Sequence, residues 1–305
     1  MKLALSTNWC NRQLDDGQRI AEKALELGFD ELELGFNTSV NQVPGFKRML
    51  DRIPVGSIHA FCPVPISAPQ GYPELYALAS FDEDQRALAR FHITKNIEFG
   101  AEMGADTVVL HAGRVSFATF FNRSFTSGTL RELRAKAKDG VNDKTYQKQL
   151  ARAQKTRIVR GVKLLQPFMA ELETLVPVLE KHQVTLALEN LPYLEGFPNE
   201  SELQTIVAHF ENAPVRGWFD TGHHRVRESF QWLSTSPLPD GLFHGMHLND
   251  VVDFDDDHLA PGDGKVDFAA LKDFAHSMRH VVFEPKSHVD EEHLKRGIAK
   301  IRGIW

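Results

Sequence analysis

Imidazole and carboxylate side chains are crowded into one stretch of the chain, between residues 242 and 264. Its first six residues are mostly apolar with some alternation, which is typical of a buried strand, and this run ends at His247. Five acidic residues lie from Asp250 to Asp257, followed by His258 and a Pro-Gly-Asp-Gly turn. Because an acidic cluster repels itself unless a cation relieves the repulsion, the stretch indicates either a divalent metal site or a solvated acidic loop.

Five other apolar runs in the chain also end in a histidine, an aspartate or a glutamate. One histidine at a strand end is often structural, but six such ends are difficult to explain by packing, because a buried carboxylate is costly to desolvate unless it is paired or metal-bound. The mixed nitrogen and oxygen donors suit Zn²⁺, Mn²⁺, Fe²⁺ or Co²⁺. The six terminal residues are His59, His111, Glu189, Asp220, His247 and Glu284.

Apolar periodicity and turn residues divide the chain into eight strands that alternate with eight helices. Because parallel strands need a crossover between them, this alternation predicts an α/β fold, a single (β/α)₈ TIM barrel over residues 1–305. An open doubly wound sheet is the alternative, but no GxGxxG motif follows the first strand. The predicted strands are 2–6, 31–34, 55–59, 107–111, 184–189, 215–220, 242–247 and 281–284, and the predicted helices are 15–27, 43–50, 82–103, 158–182, 200–210, 225–233, 267–276 and 291–301.

The segment 117–155 interrupts this alternation. It is rich in Arg, Lys, Gln and Ser, and it is too long for an ordinary barrel loop. We predict an insertion after the fourth strand that serves as a lid or as a contact in a homo-oligomer. In a barrel of this kind the carboxyl ends of the strands carry the reactive residues, so the six terminal residues are expected to meet there.

The overall composition indicates which partners and which compartment to expect. The formal net charge is −6, with 35 Lys and Arg against 41 Asp and Glu, and neither half of the chain is strongly basic. Since a nucleic acid partner normally requires a positive face, the composition argues against one. No run of apolar residues is long enough for a membrane span, and the N-terminal run is predicted to be a strand rather than a signal peptide. We therefore expect a cytoplasmic protein that binds a small molecule.

Four motifs around the terminal residues resemble those of a known group of enzymes. They are LALEN at Glu189, WFDTGHH at Asp220, HLND at His247 and VVFEP at Glu284. In this order they resemble the xylose isomerase-like TIM-barrel superfamily, which includes sugar phosphate isomerases and epimerases and the AP endonuclease family 2 enzymes. The resemblance runs from the first strand to the last, apart from residues 117–155.

The isomerase and epimerase branch of that superfamily implies one divalent metal and two catalytic glutamates. Glu189 and Glu284 would be the acid and the base, and Glu195 and His223 would contact the substrate. Some epimerases carry an arginine where this chain has Asp253, so the resemblance specifies no particular keto-sugar. The implied metal ligands are Glu189, Asp220, His247 and Glu284.

The nuclease-like branch implies a larger site with two or three metals around a phosphate, where a metal-activated water would attack. Because the sequence predicts no basic groove, a small phosphodiester fits such a site better than DNA does. The nine implied ligands are His59, His111, Glu189, Asp220, His223, His247, Asp256, His258 and Glu284.

Other residues near strand ends are candidates for substrate contacts. Trp9 and Phe61 follow the first and third strands, so they could stack on a sugar or pack at the rim. Arg114 follows the fourth strand and could bind a phosphate or carboxylate or lie on the surface. Glu33, at the end of the second strand, is predicted to orient one of the histidines.

Three functions follow from these observations. The leading prediction is a metal-dependent isomerase or epimerase of carbohydrate metabolism that acts on a sugar or sugar phosphate by proton transfer between Glu189 and Glu284. The rival is a phosphodiesterase with two or three metals and a small substrate. The third is a barrel that binds a small ligand without turnover, against which the intact pair of glutamates argues.

Overall fold

The computed structural model describes residues 1–117, 128–233, 241–252, 254 and 258–305. The strands in these residues are β1 (Ala4–Ser6), β2 (Glu31–Leu34), β3 (Val55–His59), β4 (Thr107–Leu110), β5 (Gly113–Arg114), β6 (Thr185–Glu189), β7 (Gly196–Phe197), β8 (Val215–Asp220), β9 (Phe243–Leu248) and β10 (His280–Phe283). The helices there are α1 (Gly17–Leu27), α2 (Val43–Met49), α3 (Glu83–Glu102), α4 (Gly128–Asp139), α5 (Lys144–His182), α6 (Glu200–His209), α7 (Thr221–Ser229), α8 (Lys272–His276) and α9 (Glu291–Ile304).

Eight of these strands form a closed parallel barrel, which confirms the predicted (β/α)₈ fold. The order around the barrel is β1, β2, β3, β4, β6, β8, β9 and β10, and β10 pairs with β1 to close it. The other two strands, β5 and β7, pair with each other in antiparallel fashion. They belong to the connections that follow β4 and β6, so this short ribbon lies beyond the carboxyl ends of the barrel strands.

Helix α7 begins before the predicted helix at 225–233. Asp220 ends β8 and is also the N-cap of α7, where its Oδ1 accepts a hydrogen bond of 2.6 Å from the main-chain N–H of His223. The first turn of this helix is polar and has no apolar periodicity from which its start could be predicted. The cap brings His223 close to Asp220 at the same end of the barrel.

The predicted insertion at 117–155 is largely helical where the structure describes it. It comprises α4 and the first turns of α5, which starts at Lys144 rather than at the predicted residue 158 because Asp143 caps it. Neither this long helix nor any other in the described residues is both apolar and long enough to cross a bilayer. Apolar side chains pack the insertion together with α7 and the connections near it: Phe117, Leu130, Leu133, Tyr146, Leu150, Leu194, Val226, Phe230 and Trp232.

An ion network lies at the opposite end of the barrel, where the strands begin. His280, at the start of β10, places Nε2 at 2.6 Å from Asp106 Oδ1 and Nδ1 at 3.6 Å from Glu31 Oε2. Burial alone would lower the pKa of His280, but the two carboxylates raise it above its ordinary value. His280 in turn lowers the pKa of Glu31. It also holds the pKa of Asp106 below its ordinary value, although burial opposes this shift.

We expect this network to make the free energy of unfolding depend on pH. The raised pKa of His280 gives a contribution that is complete below about 6.5 and is lost as the pH rises through the raised value. The lowered pKa values of Glu31 and Asp106 give a contribution that is complete above about 4 and is lost as the pH falls through the lowered values. His280→Gln should therefore cost about 1.5–3 kcal/mol between these limits and less in alkali. Urea unfolding of both proteins across this range measures the cost, and a cost that does not vary with pH would contradict the prediction.

Candidate metal centre

Four of the predicted ligands meet at the carboxyl end of the barrel. Their donor atoms lie within 4.8 Å of one another, and each residue is at most 5% exposed. They converge because the strands that carry them are neighbours around the barrel, and Asp220 on β8 is paired in register with His247 on β9. This group, which we call the first cluster, consists of Glu189, Asp220, His247 and Glu284.

His247 is held by carboxylates on both sides of its ring. Nε2 is 3.1 Å from both oxygens of Glu33, which lies across the barrel on β2. Nδ1 is 3.1 Å from Glu284 Oε2 and 3.3 Å from Glu189 Oε1. Because Glu33 faces Nε2, Nδ1 is the atom that remains to face a cation, as in a metal site whose histidine is oriented by an outer carboxylate.

A second cluster shares Glu189 with the first. His59 Nε2 and His111 Nε2 are each 3.1 Å from Glu189 Oε2, and the donor atoms of these three residues lie within 4.8 Å of one another. The other carboxylate oxygen, Oε1, faces His247 and His223, each with Nδ1 at 3.3 Å. Glu189 therefore has one oxygen directed at each cluster and could bridge two cations.

The electrostatics of both clusters fit a cation. Burial alone would raise the pKa of Glu189, but His111 and His247 hold it well below its ordinary value. Burial likewise opposes protonation of His111, yet Glu189 and Glu74 raise its pKa to about 9. The carboxylates thus favour positive charge beside them, and protons on His111 and His247 supply it when no metal is bound. A divalent metal with nitrogen and oxygen ligands can replace those protons.

Two asparagines inside the recognised motifs position Asp220. Asn249 Nδ2 donates to Asp220 Oδ2 at 2.6 Å, and Asn190 Oδ1 accepts the main-chain N–H of Asp220 at 2.7 Å. Sequence reasoning did not single out either residue. Each directly follows a strand end within a motif, LALEN or HLND, and this position is the signal that could have identified them.

Of the two ligands predicted in the acidic loop, Asp256 and His258, the structure describes only His258. His258 donates from Nδ1 to the main-chain oxygen of Glu284 at 2.8 Å, and its ring centre is 5.3 Å from that of His223. Asp256 and Asp253 lie outside the described residues, so the predicted role of Asp256 stays a prediction. His258 is thus placed beside the first cluster, as the larger ligand set requires.

A cavity of about 350 Å³ opens above the two clusters. Its buried part is formed by potential ligands, so a molecule in the cavity would contact a bound cation directly. The potential ligands that line the cavity are His59, His111, His223 and Glu284, which are buried, and His258, which is partly exposed. The more exposed part of the wall includes Asn8, Arg12, Phe36, Tyr72 and Tyr193.

Trp9 and Phe61, for which the sequence left open stacking on a sugar or packing at the rim, are packed away from the cavity. Trp9 and Phe61 are only 4% and 0% exposed, and neither is among the described residues that line the cavity. Trp9 Nε1 instead donates to the main-chain oxygen of Val289, and Phe61 packs edge-on against Tyr76. Both side chains pack into the main apolar core. The path of the connection after each strand end sets this direction, and the sequence pattern of the strand does not reveal it.

Arg114 is not directed at the cavity either. Its Nε and Nη2 donate to the two oxygens of Glu74 at 2.7 and 2.8 Å, and its guanidinium lies 3.5 Å from the centre of the Tyr193 ring. Glu195 is 2% exposed, and its Oε1 is 3.9 Å from Arg114 Nη1. The charge of Arg114 is therefore already balanced by carboxylates, which does not support the predicted phosphate contact. Of the predicted substrate contacts, His223 lines the cavity.

Comparisons with known proteins agree with this architecture. Residues 21–303 match the family model described as xylose isomerase-like TIM barrel. A structure of 3-keto-D-glucoside 4-epimerase from E. coli is 18% identical, with 99% of each chain covered and a TM-score of 0.64. D-psicose 3-epimerase from Clostridium cellulolyticum H10 is 15% identical, with 100% of this chain and 99% of that chain covered and a TM-score of 0.64.

The IolI protein with a bound zinc atom is 14% identical, with 100% of this chain and 99% of that chain covered and a TM-score of 0.66. No curated protein sequence matches the chain. At these identities the structural similarities show the fold alone, whereas the family model covers most of the sequence. The chain belongs to the xylose isomerase-like TIM barrel family.

Proposed function

We propose that this protein is a divalent-metal-dependent isomerase or epimerase whose substrate is a sugar or sugar phosphate. The observation that carries the proposal is the first cluster, in which oxygens of Glu189 and Glu284 lie 3.3 and 3.1 Å from His247 Nδ1, and Glu284 also lines the cavity. Solved epimerase structures with the same fold support the choice of substrate class.

The chain supplies the groups that proton transfer requires. When bound, the cation polarises oxygens of the substrate and makes the adjacent carbon-bound proton more acidic. Glu284 removes that proton from the cavity side, and Asn8 Nδ2, which is 3.3 Å from Glu284 Oε1, orients the carboxylate. Glu189 takes up a proton from His111 Nε2, which is 3.1 Å from its Oε2, and returns it to the carbon from the other side, so the configuration at the carbon is inverted. His223 contacts a substrate hydroxyl from the cavity wall.

A second candidate function is hydrolysis of a small phosphodiester. The second cluster favours it, because His59, His111 and the shared Glu189 offer a separate place for a cation beside the first. Two neighbouring cations suit a displacement at phosphorus, where they stabilise both the attacking and the leaving oxygen. His258 would be a further ligand in this case, so His258→Ala should impair a hydrolase more than an isomerase.

Metal content distinguishes the two candidates. We expect protein stripped with EDTA and reloaded with Zn²⁺, Mn²⁺ or Co²⁺ to retain one ion per chain if it is an isomerase and two or three if it is a hydrolase. Metal removal should also lower the free energy of unfolding, by about 4 kcal/mol where the free metal had been at a thousand times its Kd. Elemental analysis and urea unfolding measure these effects, and keto-sugars, their phosphates and bis-p-nitrophenyl phosphate are the substrates to test. A protein that retains no metal and is not destabilised by EDTA would contradict both functions.

A further inference from the structure

Glu74 is a largely buried acid at the mouth of the barrel that none of the sequence motifs includes. It lies in the proline-rich connection between β3 and α3, and its side chain is 14% exposed. It lines the cavity together with His111, and its Oε1 is 3.7 Å from His111 Nδ1. His111 of the second cluster therefore faces two carboxylates, those of Glu189 and Glu74.

The two ring nitrogens of His111 have different surroundings. Nε2 is 3.1 Å from Glu189 Oε2. Nδ1 is buried, in a residue that is 7% exposed, and it has no hydrogen-bond partner within bonding distance in the described residues. A buried polar atom without a hydrogen bond destabilises the folded protein by about 1–3 kcal/mol, so a hydrogen bond to Nδ1 is favoured. A displacement of about 0.5–1 Å would bring Glu74 Oε1 into hydrogen-bond range of Nδ1.

Glu74 is held in place by contacts that leave it able to accept this bond. Arg114 donates one hydrogen bond to each carboxylate oxygen and lies over the Tyr193 ring. Each oxygen of an ionised carboxylate has room for a second hydrogen bond. Arg114 thus sets the orientation of the Glu74 carboxylate without occupying all of its acceptor sites.

The connection that carries Glu74 is itself packed onto the barrel. The Tyr76 ring stacks on the His92 ring of α3 with centres 4.1 Å apart and planes 3° apart. The main-chain N–H of Ala79 donates to the oxygen of Ala112, the residue after His111, at 2.8 Å. These contacts fix the distance between the connection and the end of β4.

We propose that Glu74 is a positioning residue, which accepts a hydrogen bond from Nδ1–H of His111 and thereby directs Nε2 toward Glu189 and the cavity. The hydrogen bond between Glu74 and His111 does not depend on the proposed function. Only its consequence, that Nε2 faces a cation or a substrate, rests on that function. Outer carboxylates of this kind fix the tautomer and the ring orientation of a ligand histidine, and their loss costs about 10–100-fold in metal affinity.

Imidazole ¹⁵N and ¹H NMR of the full chain tests the proposal without measuring activity. The wild-type protein should show a slowly exchanging Nδ1–H signal that disappears in His111→Gln and is thereby assigned. Glu74→Ala should lose the signal or exchange it at least about tenfold faster, the factor expected for one ordinary hydrogen bond. Glu74→Gln keeps an acceptor oxygen and should retain a shifted signal. Glu98→Ala, which removes an exposed glutamate of α3, is the matched control and should leave the signal unchanged.

Zinc titration against a competing chelator gives a second measurement on the same variants. Glu74→Ala should weaken a zinc ion bound through His111 by about 10–100-fold, and the urea unfolding midpoint shows whether each variant is folded. An unchanged Nδ1–H signal in folded Glu74→Ala, or no such signal in the wild type, would overturn the proposal. Neither result depends on turnover, so a failure here is distinct from a failure of the proposed isomerase activity.

Discussion

Glu284→Gln should lower turnover by about 10²–10⁴-fold while the protein still binds metal. The amide cannot take up a proton, and general base catalysis contributes a factor of this size. Three ligands of the first cluster, Glu189, Asp220 and His247, remain to hold the cation. Initial rates with the substrate found by screening, together with metal analysis of the same sample, measure the two effects separately.

Glu189→Gln should have the broader effect, because its carboxylate belongs to both clusters. We expect it to lower metal content as well as turnover. Glu180→Gln, which changes an exposed glutamate near the end of α5, is a control for the loss of one negative charge. If metal-loaded Glu284→Gln keeps wild-type turnover, then Glu284 is not the base, and the proposed proton transfer is wrong.

Glu202→Ala should lower the free energy of unfolding by about 3–5 kcal/mol, the cost of leaving a buried charge without its partner. Arg157 of α5 is 3% exposed and donates from Nη1 and Nη2 to the two oxygens of Glu202, each at 2.7 Å. Glu202 also accepts the main-chain N–H of Asn199 at 2.8 Å and so completes the capping box of α6. Urea unfolding of the metal-free protein measures the loss.

This ion pair connects the long helix α5 to the ribbon beside the site, because Arg157 also donates to the main-chain oxygen of Gly196, the neighbour of Glu195. Arg157→Met combined with Glu202→Leu should be less destabilised than Glu202→Ala alone, since no unpaired charge remains. Glu292→Ala breaks an exposed pair with Lys295 and should cost far less than Glu202→Ala, because water screens the two charges. If Glu202→Ala lowers the free energy of unfolding as little as Glu292→Ala does, then water solvates the Arg157 charge and the prediction is wrong.

The barrel and the meeting of the six strand ends could be predicted from the sequence because they depend on short-range patterns. The bounds of β2, β3 and β8 agree with the predicted strands. Alternation of strands and helices requires parallel strands, and parallel strands in a closed ring place their carboxyl ends together. A polar residue at the end of each apolar run is therefore sufficient to predict which side chains meet, as it did for Asp220 and His247.

Contacts between connections could not be predicted in this way. The sequence predicted that Glu33 would orient a histidine but not that this would be His247, and Glu74, which faces His111, lies in a proline-rich segment without periodicity. The balance of the Arg114 charge depends on the same connection, because only its folded path brings Glu74 to the guanidinium.

Side-chain direction beyond a strand end was also decided by the tertiary structure. Trp9 and Tyr72 both lie in connections at the mouth of the barrel, yet Trp9 is buried in the core, whereas Tyr72 lines the cavity. Residue types and their order predicted the fold and the six strand ends that form the two clusters, since strand periodicity and a single shared face are local rules. The shape of the cavity and the partners of each ligand came only from the folded chain, because they depend on how separate connections pack against one another.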